Sequence, residues 1–286
     1  MRRHLLKKLL SVRTFGQLHR APTLVIVVFF ATTTALAQQP SSGSCLNAQT
    51  ARRIGSDFLH YSGAILKSPS KLAHLDGHDA LWIFAFSAAT ATLLSSDGGV
   101  SNNINPSHAA RHTNNVASNI LTGGAVGYSV SKYLIGCKRH NAEEKQFALR
   151  ELEAMGFSLA PTEVLKLTFR RQRPSHSPGD DTFFKGGNSF PSGHAAMTAA
   201  FATVIAEEYP ESPWKWAAVG VAAGTPTLRI TAKQHYPSDA FVGSTIGILT
   251  GRYLCRECRS LLHSELPAAA PLAGNEVSVH ASSAGN

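Results

Sequence analysis

The sequence predicts an all-α protein built as a single helical bundle, and three observations lead there. Ala, Leu, Glu and Lys recur at helical spacing along most of the chain, strand-like alternation is hard to find, and no internal repeat is evident. At 286 residues, 43% of them hydrophobic, the chain is long enough for one sizeable core. The candidate helices are 46–67, 79–96, 113–136, 142–171, 193–208, 214–227 and 238–260.

Before the first helix lies a leader. Arg2, Arg3, Lys7, Lys8, Arg13 and Arg20 precede an apolar run at 24–31, and Ala35-Leu36-Ala37 closes it with the small-x-small pattern of a signal peptidase site. The expectation is a signal peptide over 1–37, removed to leave Gln38 first, and export, in a bacterium to the periplasm. The alternative is an uncleaved anchor helix, for which the 14 residues from Leu24 to Ala37 are short. Residues 38–44 read as a flexible mature N-terminus, 45–262 as the helical domain and 263–286, rich in Ala and Pro, as a disordered tail.

The formal charge of +9 shrinks without the leader to 21 basic against 18 acidic residues, which argues against a nucleic-acid partner. Cys45, Cys137, Cys255 and Cys258 all follow the leader, and an even count fits disulfides in an oxidising compartment, with three connectivities open. The uncharged stretches at 80–96, 113–131, 216–227 and 240–251 are either diluted with polar residues or short. They read as buried helices of a soluble core, with contact at a membrane surface kept as the alternative.

The chemistry concentrates in three segments. The first runs Lys166-Leu-Thr-Phe-Arg-Arg-Gln-Arg173-Pro174; seven residues separate Lys166 and Arg173, two turns of one helical face, so both cations can enter one pocket and meet a dianion. In the second, Pro191-Ser192-Gly193-His194 opens a plainly helical run. Ser192 stands at the N-cap, the N–H groups of Gly193 and His194 face outward from the positive end of the helix dipole, and His194 is placed to pass a proton to a departing oxygen. The third is Arg229-Ile-Thr-Ala-Lys-Gln-His235-Tyr-Pro-Ser-Asp239. Asp239, four residues past His235, can return its carboxylate to the imidazole, fix the tautomer and leave the other nitrogen as a nucleophile.

Taken in order, K-x6-R-P, PSGH and R-x5-H-x3-D resemble the type 2 phosphatidic acid phosphatase superfamily, which takes in bacterial nonspecific acid phosphatases, lipid phosphate phosphatases and vanadate-dependent haloperoxidases. The motifs span 166–239, and the helical context carries the likeness over most of 140–255. The resemblance implies a helical core of that type, phosphate binding by Lys166, Arg173, Ser192, Gly193 and Arg229, acid/base action by His194, nucleophilic attack by His235 and orientation by Asp239. One position departs from the pattern: Leu228 stands where a Ser usually precedes the Arg.

The expected reaction is hydrolysis of a phosphomonoester through a phosphohistidine, with cations and helix N–H groups neutralising the phosphoryl oxygens and no metal or other cofactor required. The expected substrate is an exported small-molecule or lipid phosphate. The alternatives are a membrane-associated phosphatase of lipid phosphates or undecaprenyl pyrophosphate, a non-catalytic protein that binds phosphate or lipid headgroups, and a vanadate-dependent haloperoxidase. The aromatic pair Phe183 and Phe184, between the first two motifs, either overhangs the pocket or closes the core beneath the loop. His108, His112 and His176 read as surface or capping residues.

Overall fold

The computed structural model describes residues 48–71, 76–176 and 181–265. Among them are seven helices and no strand: α1 Ala48–Lys71, α2 Gly77–Asn103, α3 His108–Lys138, α4 Ala142–Phe169, α5 Gly193–Glu208, α6 Trp214–Thr231 and α7 Pro237–Glu265. Each candidate helix is present. The expected signal peptide, the flexible segment 38–44, Cys45 and the tail beyond 265 lie outside the described residues, while the first residues of that tail belong to the last turn of α7.

The helix starts follow from local chemistry. Asp76 accepts the N–H of Asp79, Ser107 that of Ala110, Asn141 that of Glu144 and Ser192 that of Ala195, each a short polar side chain satisfying an N–H that has no partner within the helix. The bundle is organised around α5. Its sequence GHAAMTAAFATVIAEE is apolar all round, and α3, α4, α6 and α7 all pack against it. Small side chains allow close approach: Ala195, Ala196, Ala199 and Ala200 are buried in α5, and Gly243, Gly247 and Gly251, one turn apart on α7, face it. A second centre of the core joins Tyr61, Phe157 and Tyr253 across α1, α4 and α7, with ring centroids 5.6 Å apart in both pairs.

Helix α2 departs from the reading of 80–96 as a buried core segment. Trp82 and Phe84 are 64% and 70% exposed, Leu81 and Ile83 are exposed as well, and the buried residues of this helix are Asp97 and Ser101 near its end. It rests on α7, where Phe86 stacks on Phe241 at 5.6 Å. It is the one helix among the described residues long and apolar enough to cross a membrane. Cys137, at the end of α3, is in a disulfide.

Candidate active site

The pocket forms where the end of α4, the start of α5, the end of α6 and the start of α7 converge, with α3 along one side. Helix α4 stops at Phe169, earlier than expected, because Arg170 takes a left-handed conformation (φ 45°, ψ 41°) and turns the chain. Lys166 is therefore on the last helical turn while Arg173 follows on the loop. The two do not share a helical face, but both still reach the pocket: their positive charges oppose one another and that of Arg229. Pro174 lies beyond the helix end rather than at it.

A carboxylate holds Lys166, and carboxamides hold Arg173 and Arg229. Lys166 Nζ donates to Glu163 Oε1 at 2.6 Å and lies where a Cβ on Gly193 would approach it to 3.3 Å, over the first turn of α5. Arg173 donates from Nε to Asn188 Oδ1 (2.9 Å) and from Nη1 to Gln234 Oε1 (2.5 Å). Arg229 donates from Nη1 to Asn115 Oδ1 at 2.6 Å, while its buried Nε has no hydrogen-bond partner among the described residues. Burial and the nearby Arg173 push the Arg229 pKa down to about 9, so it stays charged at neutral pH.

Ser192 is the N-cap of α5, fully buried, and its own N–H donates to the Asp239 carbonyl at 2.9 Å, which ties the second motif to the third. The N–H groups of Gly193 and His194 are at the positive end of a 16-residue helix. His194 is at the rim, with Nε2 2.9 Å from Asn119 Oδ1; the amide oxygen accepts, so the proton sits on Nε2. Burial lowers the His194 pKa well below the ordinary histidine value, and Arg229, His235, Arg173 and Lys166 lower it further.

His235 is 2% exposed. Its Nδ1 donates to the Ser189 carbonyl at 2.7 Å, which leaves the Nε2 lone pair unprotonated. Burial, then Arg229, Arg173 and Lys166, also press its pKa well below the ordinary value. The structure corrects the expected contact with Asp239. Asp239 Oδ2 is 3.7 Å from His235 Nδ1, too long for a hydrogen bond, because that oxygen already accepts from the Tyr236 N–H (2.8 Å) and the Ser189 hydroxyl (2.5 Å). The carboxylate holds Ser189, and the Ser189 carbonyl holds the imidazole.

Sequence reasoning missed Ser189, Asn115, Asn119, Gln234 and Arg171. The hold of Ser189 on the imidazole is exerted by a backbone carbonyl, which no residue type announces. The loop pair is split between its two readings: Phe183 packs edge-to-face against Phe169 and Phe190 at 5.7 and 5.4 Å, whereas Phe184 is 70% exposed. Beside Arg173 a cavity of about 480 Å³ is lined by Gln172, His176, Gly186, Gly187 and Asn188, within the size range of ligand pockets. Asp76, His78 and Asp79 bring ligand atoms within 4.8 Å of one another, but they are exposed at the start of α2, the far end of that helix from the pocket.

The model of the PAP2 superfamily matches residues 147–258, which contain all three motifs. Residues 147–258 belong to the PAP2 superfamily. The chain also aligns with a lipid A 1-phosphatase of Porphyromonas gingivalis, 41% identical over 103 residues that make up 35% of this chain and 21% of that protein. The chain thus spans about a fifth of the length of the curated relative it matches. A solved transmembrane PAP2 type phosphatidylglycerolphosphate phosphatase from Bacillus subtilis superposes with a TM-score of 0.47 at 20% identity, over 64% of this chain and 96% of that one.

Proposed function

We propose that this protein is a membrane-bound phosphatase that hydrolyses lipid phosphate monoesters through a phosphohistidine on His235. The observation that carries the chemistry is the convergence of Lys166, Arg173, Arg229 and the α5 N-terminus on two imidazoles that their surroundings keep neutral. The reading as a lipid enzyme is supported by α2, whose 27 residues measure roughly 40 Å along the axis against a hydrocarbon core of roughly 30 Å, and whose Leu81, Trp82, Ile83 and Phe84 face outward. The relationship to a lipid A 1-phosphatase points the same way.

The geometry supports the following order of steps. The phosphoryl oxygens lie against the three cations and the Gly193 and His194 N–H groups, which stabilise the charge spread over them in the transition state. His235 Nε2 attacks phosphorus; the P–O bond to the leaving alcohol breaks, and its oxygen takes a proton from His194. His194, now neutral, then removes a proton from water, the hydroxide attacks phosphorus, the P–N bond breaks, and phosphate leaves.

A depressed His194 pKa suits the second half-reaction and opposes the first. The substrate removes the conflict: a bound phosphate dianion places negative charge beside His194 and favours its protonated form, so His194 becomes an acid when the pocket is filled. The cavity beside Arg173 offers space for the leaving group, and its Gln172, His176 and Asn188 side chains favour a polar headgroup over an acyl chain.

The test measures phosphate release by the full chain in detergent from p-nitrophenyl phosphate, phosphatidate and a lipid A 1-phosphate, in excess EDTA. Turnover of the lipids that His235→Ala abolishes supports the proposal. Full activity of His235→Ala, or a strict Mg²⁺ requirement, counts against the mechanism, and turnover of the soluble ester alone returns the reading to an exported small-molecule phosphatase.

A further inference from the structure

We propose that Arg171 and Asp97 are positioning residues that hold His235 in line for attack, acting through Asp239 and Ser189; the proposal rests on the phosphatase reading above. Arg171 is 1% exposed and every nitrogen of its guanidinium is engaged. Nε donates to the Asp181 carbonyl (2.9 Å), Nη1 to Asp239 Oδ1 (2.8 Å) and Ser238 Oγ (2.9 Å), and Nη2 pairs with Asp97 Oδ2 (2.8 Å). The guanidinium is stacked between Tyr236 and Phe183, 4.0 and 4.8 Å from their ring centres. Asp97, fully buried, also accepts the Ser238 N–H at 3.0 Å and the Ser238 hydroxyl.

These contacts form one connected path. Asp97 fixes Ser238 and one side of Arg171; Arg171 fixes Asp239; Asp239 accepts from Ser189, whose carbonyl accepts the hydrogen bond of His235 Nδ1–H. Every guanidinium nitrogen of Arg171 is engaged within this network and Asp97 pairs with it there, which sets both apart from the anion cradle. A buried carboxylate–guanidinium–carboxylate triad adds little stability over a well-packed apolar cluster, because desolvation consumes most of its Coulomb energy. What the triad supplies is direction: a planar guanidinium with every nitrogen engaged leaves Tyr236 and the first turn of α7, at Pro237 and Ser238, one arrangement.

The path also reaches the outward-facing helix. Asp97 and Ser101 are the buried residues of α2, and Ser101 accepts from Lys233 Nζ with both its carbonyl and its hydroxyl. Helix α2 is thereby pinned on both sides of the nucleophile, at Lys233 and at Ser238.

The experiment compares wild type, Asp97→Asn, Arg171→Lys and Arg171→Gln as full chains in detergent, with His235→Ala as the control. Two quantities are read: kcat on p-nitrophenyl phosphate, and the affinity and stoichiometry of inorganic phosphate binding by calorimetry. The expected result is a kcat lower by about 10- to 100-fold in Asp97→Asn and Arg171→Lys, the usual cost of losing an orienting partner, with phosphate bound one per chain and with wild-type affinity. A purely structural role predicts a stoichiometry that falls in step with kcat, and that result overturns the proposal, as does wild-type kcat in both variants. If Arg171→Gln does not purify folded, the isosteric Asp97→Asn carries the test. Failure of the underlying phosphatase reading is distinct, since the wild type itself then releases no phosphate.

Discussion

Gly243 and Gly251 are two turns apart on one face of α7, and replacing each by Ala separates packing from catalysis. A Cβ on Gly243 falls 3.1 Å from the carbonyl carbon and the amide nitrogen of Ser192, and closer still to its oxygen. A Cβ on Gly251 falls 2.9 Å from Thr203 Cβ and 3.0 Å from the Ala200 oxygen, where ordinary contact begins at 3.4 Å. Both substitutions therefore push α5 and α7 apart, at the about 1–3 kcal/mol of overpacking. For a domain of this size that is a fall of about 2–12 °C in Tm. The neighbours differ in what they carry. Ser192 caps α5, and the next two N–H groups belong to the proposed anion cradle, whereas Ala200 is about 12 Å further along the helix. A retreat of Ser192 by about 1 Å, a misplacement that costs about 100-fold in rate, is expected to lower kcat/KM of Gly243→Ala by that factor. Gly251→Ala is expected to keep the wild-type value. Thermal unfolding and p-nitrophenyl phosphate hydrolysis of the full chain in detergent read the two effects. Unchanged kcat/KM in Gly243→Ala, or an equal loss in Gly251→Ala, refutes the placement of the cradle on Ser192.

His194→Asn removes the proton donor, and kcat should drop about 100- to 10,000-fold on an alkyl phosphate but much less on p-nitrophenyl phosphate, whose leaving group needs little help; an equal drop on both means that His194 is not the acid. The depressed pKa of His235 keeps the nucleophile unprotonated below the ordinary histidine range, so kcat/KM should persist as pH falls past about 6.5, and a profile that collapses there contradicts the buried, cation-flanked setting. The same shift makes the fold lose stability as pH falls through and below that ordinary value, since the unfolded chain binds protons that the folded imidazoles refuse; a melting temperature that rises on acidification shows the sign to be wrong. Replacing Leu81 and Phe84 by Glu places two charges on the outward face of α2, each costing about 2.5–3.5 kcal/mol or less in a bilayer according to depth, and should weaken retention in the carbonate-washed membrane fraction. Retention equal to wild type means that this face does not meet lipid.

What could be read in advance divides along physical lines. The start of α5 was legible because an N-cap is local: Ser192 ahead of Gly193-His194-Ala195 satisfies an N–H three residues on, wherever the helix later packs. The convergence of Lys166, Arg173, His194, Arg229 and His235 was legible because their side chains have distinctive chemistry and stand at fixed spacing. Arg171 was hidden in a basic run beside Arg170 and Arg173. Its burial depends on the left-handed turn at Arg170 and on Asp97, 74 residues earlier and on another helix. The exposure of α2 was misread because composition gives apolarity, whereas the medium that accepts it is a matter of what packs alongside.

The arrangement of charges explains why the acidic residues near this pocket do not cancel it. Arg173 and Arg229 are oriented by the carboxamides of Asn188, Gln234 and Asn115, which accept hydrogen bonds without contributing a full negative charge. Asp97 and Asp239, the two fully buried carboxylates close by, both pair with Arg171 and are satisfied there. Glu163 is the exception, paired with Lys166 but partly exposed, so water screens it. Positive charge thus remains uncompensated where Arg229 acts on His194 at the start of α5, and the proposed dianion would relieve it. Inorganic phosphate has the same charge as the ester it replaces. On the proposed mechanism such a site is expected to bind its product as well as its substrate, so that selectivity among esters comes from the leaving group, in the space beside Gln172 and Asn188.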